Sequence, residues 1–185
     1  MIKIISFDIG IKNMGYCISS ILPDKSIQFN ILNKIDLNIH KNSNIQKVID
    51  NTIEFLESIL YEDIKLTNDD EIIVLIECQM TSIMKTIQTT INTFFKTISK
   101  YENIPINTIY LSPKHKLNII NIDTTPTNSN YKQNKLDSIT FSIHLLQNKY
   151  KHDDFLSIIN SHKKKDDICD AFLMSIYYYE NFIHT

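Results

Sequence analysis

Four acidic residues stand where an acid needs a reason. Asp8 closes the apolar run Ile2, Ile4, Ile5, Phe7, and Glu77 closes the run Ile72 to Ile76. Asp167 and Asp170 are three apart at the start of a later apolar stretch, a spacing that places both on one helix face. Asp is a poor strand residue. Each acid taken singly has a structural explanation. Asp8 can form a turn, and Asp166-Asp167 can interact with a helix dipole. Two strand-terminal acids and a helical pair are harder to assemble by accident. Clustered carboxylates repel one another unless cations neutralise them. Hard oxygen ligands favour Mg²⁺ or Mn²⁺. Two such ions about 4 Å apart activate water and stabilise the leaving oxygen in phosphodiester cleavage.

The elements that would position these acids are legible from hydrophobic periodicity. Met1 to Phe7 reads as a buried strand, Tyr16 to Ile21 as a second strand joined to it by a hairpin, and Ser26 to Ile35 as a third with alternating burial. The turn after Asp8 holds Gly10 and Gly15, the two glycines of the chain. Glycine belongs where φ is positive or where another backbone approaches closely. Asn44 caps a helix with apolar positions from Ile45 to Leu60. Asn68-Asp69-Asp70 is a turn, and Glu71 to Glu77 reads as a central strand parallel to the first. A helix follows over Thr81 to Tyr101, with Met84, Ile87, Ile91, Phe94, Phe95 and Ile98 on one stripe. Pro105 to Leu111 is a fifth strand. Residues 112–131 form a polar loop with a short element at Leu117 to Ile122. Helices are expected over Tyr131 to Gln147 and Lys165 to Phe182, separated by a variable stretch from Tyr150 to His162. This is an α/β chain with a mixed five-stranded sheet, three strands antiparallel and then two parallel, and helices on both faces. Asp8 and Glu77 then share the carboxyl edge, where open α/β sheets place their sites.

The 185 residues are expected to form one domain over 1–185. There is no Arg, so every strong cation is Lys, and the formal net charge is -2. That total gives no support to nucleic-acid binding but leaves room for a local Lys face. Cys17, Cys78 and Cys169 are dispersed and odd in number, which suits free thiols in a reducing compartment. No apolar run approaches the roughly 20 residues of a membrane span. A first strand starting at Met1 leaves no room for a signal or transit peptide, so the expectation is a cytoplasmic protein.

FDIGIKNMGYCI, IECQM and KKDDICDAF together resemble the three acidic motifs of RuvC-like Holliday-junction resolvases of the ribonuclease H-like superfamily. The likeness is greatest to the resolvases of poxviruses and other large cytoplasmic DNA viruses, and to fungal mitochondrial cruciform-cutting enzymes. It spans nearly the whole chain in order and spacing. The resemblance implies a ribonuclease H-like fold and a homodimer that cuts opposed strands of a four-way junction in branched DNA. It implies two Mg²⁺ ions per site, replaceable by Mn²⁺, on Asp8, Glu77, Asp167 and Asp170 as catalytic and metal-binding residues. It also implies work at a viral replication site in the host cytoplasm. Cys78 stands where the family often has a basic or polar residue, and phosphate contacts must come from Lys and backbone groups.

The residues expected to meet DNA are Lys12, Asn13, Gln79, Lys114, Lys116, Lys132, Lys135 and Lys165. Any one of these lysines is also an ordinary solvated side chain. Asp166 is read as offset from the Asp167/Asp170 face. Tyr131 can stack on a base or close its helix, and closing the helix is preferred. His115 can position water but is read as surface, and Tyr177-Tyr178-Tyr179 as packing. Three alternatives remain at this level. One is a superfamily nuclease acting on RNA or an RNA–DNA hybrid. Another is an ATP-binding module of the actin and sugar-kinase type, which needs Gly-rich phosphate loops that are missing after Gly15. The third is a junction binder without catalysis.

Overall fold

Strand β1 (Ile2–Asp8) lies at the centre of the sheet. It pairs antiparallel with β2 (Met14–Ile21) and parallel with β4 (Glu71–Glu77). Strands β3 (Ile27–Ile35) and β5 (Ile106–Leu111) complete the order β3-β2-β1-β4-β5. The computed structural model describes residues 1–184 except 65, 66, 68, 69, 120, 121, 123 and 125. The turn expected at Asn68–Asp70 and the short element expected at Leu117–Ile122 therefore lie partly outside the described residues. A 3-10 turn covers His115–Leu117 and so ends on the first residue of the latter.

Burial on both faces explains why β1 and β4 are nearly continuous in Ile, Val, Leu and Phe. Helices α1 (Ile45–Ser58) and α2 (Ser82–Glu102) cover one face. There Ile5 and Phe7 of β1 and Val74 and Ile76 of β4 meet Val48, Phe55, Ile87, Ile91 and Phe95. Fully burying each such side chain contributes about 1.5–3 kcal/mol. The Asn44 side chain accepts from the Lys47 N–H to start α1, and Asn103 in the left-handed conformation ends α2. The α2 stripe divides. Ile87, Ile91 and Phe95 are core, whereas Met84, Phe94 and Ile98 are only partly buried.

Helices α3 (Asn130–His144), α4 (Asp153–Ser161) and α5 (Asp166–Tyr178) lie on the other face. Phe155 and Ile159 of α4 are buried against Phe29, Phe141 and Phe172. Helix α4 falls within the stretch 150–162, where the sequence indicates no element. Only nine residues long, it has too few turns for its period to stand out. Tyr179 is buried, in keeping with a packing role for the tyrosine run. Ser6 and Ser19, on the face of the sheet toward α5, tie the helix to it. The Ser6 hydroxyl donates to the Ala171 carbonyl at 2.6 Å, and the Ser19 and Ser175 hydroxyls lie 2.9 Å apart.

Candidate active site

Strand alternation decides where the two strand-terminal acids point. In β1, Ile5 and Phe7 face α1 and α2, so Ile4, Ser6 and Asp8 face α5. In β4, Val74 and Ile76 face α1 and α2, so Ile73, Leu75 and Glu77 take the other side. The parallel register pairs Phe7 with Ile76. One step further along both strands, Asp8 and Glu77 emerge side by side toward α5. Asp170, on the first turns of α5, is aimed back at them.

Gly15 makes this approach possible. A Cβ there would stand 2.1 Å from the Asp167 carbonyl oxygen, so any side chain would hold the start of α5 away from β2. Gly10 serves the turn itself, where a Cβ would stand 2.3 Å from the Asn13 carbonyl oxygen. Neither glycine has positive φ. Of the two reasons for glycine weighed in the sequence, close backbone approach is the one that applies.

A single ammonium lies among the three acids. Lys116 Nζ is 2.6 Å from Asp170, 2.7 Å from Glu77 and 3.8 Å from Asp8. Lys116, one of the lysines expected from the sequence to meet DNA, is only 8% exposed and is not an ordinary solvated side chain. The tight turn after β5 (Leu111) folds the 3-10 turn back over the sheet edge, with the His115 N–H bonded to the Ser112 carbonyl. Nothing in the local sequence announces this, because the partners of Lys116 are distant along the chain.

Burial raises the pKa of Asp8 well above the usual carboxylate range. Lys116 opposes the rise, while Glu77 and Asp170 add to it. Asp170 is raised in the same way by burial, against Lys116 and a hydrogen bond from Ser138. Burial lowers the pKa of Lys116, but the three carboxylates outweigh it and hold the group cationic. The Glu77 carboxylate is further fixed by the Gln79 amide at 2.9 Å. Gln79 is in turn anchored through its N–H to the Gln88 side chain of α2 at 2.8 Å. Gln79 therefore orients a carboxylate, a task the sequence reading did not assign to it. Ser138 and Gln88, both supporting residues, carry no signal in the sequence.

The start of α5 is organised differently. Asp167 does not join the three acids around Lys116. Both of its oxygens accept from Lys164 Nζ at 2.6 Å. Asp166, offset from the Asp167/Asp170 face in the sequence, has ionic partners of its own. It is buried, paired to Lys135, and 3.8 Å from Lys164. Burial would raise its pKa, yet the two lysines hold it below the ordinary value.

All these acids line one cleft of about 490 Å³, together with Lys12, Asn13, Gln79, Lys116, Lys135 and Tyr131. Lys114, Lys132 and Lys165 do not line it, and Lys165 instead donates to Asn160. His115 is exposed and packs on the Tyr177 ring. The donor set fits a hard divalent cation, since its centre already holds a positive charge between carboxylate oxygens. As the side chains stand, no three His, Cys, Asp or Glu groups among the described residues are arranged to hold one ion. Lys116 and Lys164 supply the neutralising charge instead.

Residues 1–181 match the family model described as Poxvirus A22 protein. The chain belongs to that family. Among curated proteins, the A22-family chain is 34% identical over 109 residues to protein L451 of Acanthamoeba polyphaga mimivirus. That match covers 52% of this chain and 25% of L451, so the chain spans about a quarter of that relative's length. Three solved structures share the fold. The yeast mitochondrial Holliday junction resolvase Ydc2 matches with a TM-score of 0.62 and 16% identity, over 95% of this chain and 78% of its own. Fowlpox virus resolvase, solved with Holliday junction DNA, gives 0.59 and 20%, over 98% and 99%. Thermus thermophilus RuvC gives 0.53 and 9%, over 98% and 97%. At these identities the likeness establishes the ribonuclease H-like fold expected from the acidic motifs.

Proposed function

We propose that this A22-family chain is a structure-selective DNA endonuclease that resolves four-way junctions and other branched DNA in viral genome processing. The observation that carries this reading is the convergence of Asp8, Glu77 and Asp170 on one cationic position at the carboxyl edge of β1 and β4. It is supported by family membership and by the named activity of the fold's solved relatives. Asp8, Glu77, Asp167 and Asp170 are the proposed ligands of two Mg²⁺ ions, with Mn²⁺ able to substitute. When bound, such ions supply water activation and charge stabilisation at the leaving oxygen.

The chain's own residues set the stage for that chemistry. Gln79 holds Glu77 in one orientation, and Ser138 does the same for Asp170. Lys116 keeps three acids together before catalysis and offers a positive charge to the scissile phosphate. Lys12 is exposed at the cleft, where a phosphate backbone would run. Binding through such lysines weakens steeply with salt. Cutting two opposed strands needs two sites, so the working form is a homodimer. The half-buried Phe94 and Ile98 border an apolar groove of about 710 Å³ between α1 and α2 that suits such a contact. No helix among the described residues is long and apolar enough to cross a membrane. A cytoplasmic viral replication site is the proposed location.

The test is incubation with Mg²⁺ and a synthetic four-way junction, beside linear duplex and RNA–DNA hybrid. Paired symmetric nicks in the junction are expected. Equal cutting of plain duplex, or preference for the hybrid, would replace the resolvase with another superfamily nuclease. Cleavage that survives excess chelator would remove the metal mechanism.

A further inference from the structure

Tyr131 sits on the first turn of α3 and lines the same cleft as Asp8, Glu77 and Asp170. From the sequence, closing the helix is preferred for Tyr131 over stacking on a base, but the residue is 70% exposed. The cap belongs to Ser129, whose side chain accepts from the Lys132 N–H. A large aromatic left bare at the mouth of a charged cleft has no packing explanation.

Its orientation is nevertheless specified. Lys135, one turn along α3, lies over the ring with Nζ 4.7 Å from the centroid. Lys135 is itself held by the buried Asp166 carboxylate. Asp166 thus fixes Lys135, and Lys135 covers one face of Tyr131. This leaves the ring restrained and backed by a positive charge, on a residue that is still largely exposed. Flat, restrained aromatic faces beside a phosphate-binding cleft suit nucleobase stacking, to which a neighbouring cation adds. A base in continuous duplex has both faces covered by its neighbours. At a branch point the stack is interrupted and a base can be offered.

We propose that Tyr131, positioned by the Asp166–Lys135 ion pair, is a stacking platform that receives a nucleobase unstacked at the branch point. The proposal rests on the junction-cleaving reading above and assigns part of its substrate selectivity to one side chain. It also gives the buried Asp166 a task that neither helix capping nor metal ligation supplies.

The experiment uses the full chain and a four-way junction carrying 2-aminopurine at each branch-point position in turn, in Ca²⁺. Stacking quenches this base, and extrusion without stacking brightens it. At one position, the wild-type chain and Tyr131→Phe should leave the fluorescence quenched, while Tyr131→Ala raises it severalfold. Tyr131→Ala should also lose about tenfold of the affinity preference for junction over duplex. Thermal melts should coincide for the three proteins, since the ring is exposed. Equal fluorescence in the three proteins, with the wild-type preference for junctions intact, overturns the platform alone. A wild-type chain with no preference for junctions overturns the reading beneath it, and the platform with it.

Discussion

The two halves of the acidic cleft neutralise their charge in opposite ways. At the ends of β1 and β4, three carboxylates share one buried ammonium, and burial drives the pKa of Asp8 and Asp170 upward. At the start of α5, Asp166 and Asp167 meet two partly exposed lysines, and Asp166 is held below its usual range. The first half is under-neutralised and built into the sheet. The second is balanced and reaches solvent. An added divalent cation gains most where charge is short, so the strand-end acids should govern both chemistry and metal-dependent stability.

The largest effect should come from removing charge in the first half. Asp8→Asn, Glu77→Gln or Asp170→Asn should each lower junction cleavage by about a thousandfold or more. Junction binding in a gel-shift assay should hold or improve, because a negative charge facing phosphate is gone. Near wild-type cutting by Asp8→Asn would remove Asp8 from the ligand set.

The next effect tests the joint between the halves. Gly15→Ala pushes a methyl group into the backbone of Asp167. It should cost about 3 kcal/mol in denaturant unfolding and uncouple Asp167 and Asp170 from the strand-end acids. A variant as stable and active as wild type would mean that α5 does not need this approach.

Lys116→Met should cost about 3 kcal/mol in chelator, since the buried Asp8 and Glu77 and the half-buried Asp170 lose their shared cation. Mn²⁺ should recover most of that loss. A melt in chelator that matches wild type would show that Lys116 is not the neutralising group.

A smaller effect follows from the sign of the Asp8 shift. Its folded pKa lies above its unfolded value, so folding favours the protonated form. That contribution is present below about pH 4 and is lost as pH rises through the folded value. Asp8 therefore weakens the metal-free chain at neutral pH. Asp8→Asn should raise the melting temperature there in chelator. The gain should vanish at low pH and in Mn²⁺. A gain that persists at low pH would point to a packing effect instead.

The sheet and the strand-end acids are legible in the sequence because both rest on local patterns. The apolar runs Ile2–Phe7 and Ile72–Ile76 are long enough to read as strands, and their period-two alternation aims Asp8 and Glu77 together. The second half is less legible because its order depends on partners far apart in the chain. Lys116 reads like the other lysines expected to meet DNA until the turn after β5 brings it 2.7 Å from Glu77, and Asp166 reads as offset until Lys135 of α3 reaches it. Gly15 is conspicuous in the sequence, yet its reason is a carbonyl of α5. Ser138 and Gln88 look like any polar helix residue, because only the fold places them against Asp170 and Gln79.

The smallest effect sharpens the comparison from its exposed side. Lys164 binds both oxygens of Asp167, which in isolation resembles the grip of Lys116 on Glu77 and Asp170. The difference is solvent. The Lys164 side chain is 44% exposed, whereas that of Lys116 is 9% exposed. Water screens the exposed pair and competes for both partners, so its net contribution is at most about 0.5 kcal/mol. Lys164→Gln should therefore leave the unfolding midpoint in chelator nearly unchanged, where Lys116→Met collapses it. It should still remove a cation that competes for Asp167. Mn²⁺ binding followed by calorimetry should tighten by a few-fold, with the largest gain at low salt, where the pair is least screened. Weaker Mn²⁺ binding in Lys164→Gln would mean that the lysine helps to assemble the metal site. The two halves would then work by the same rule.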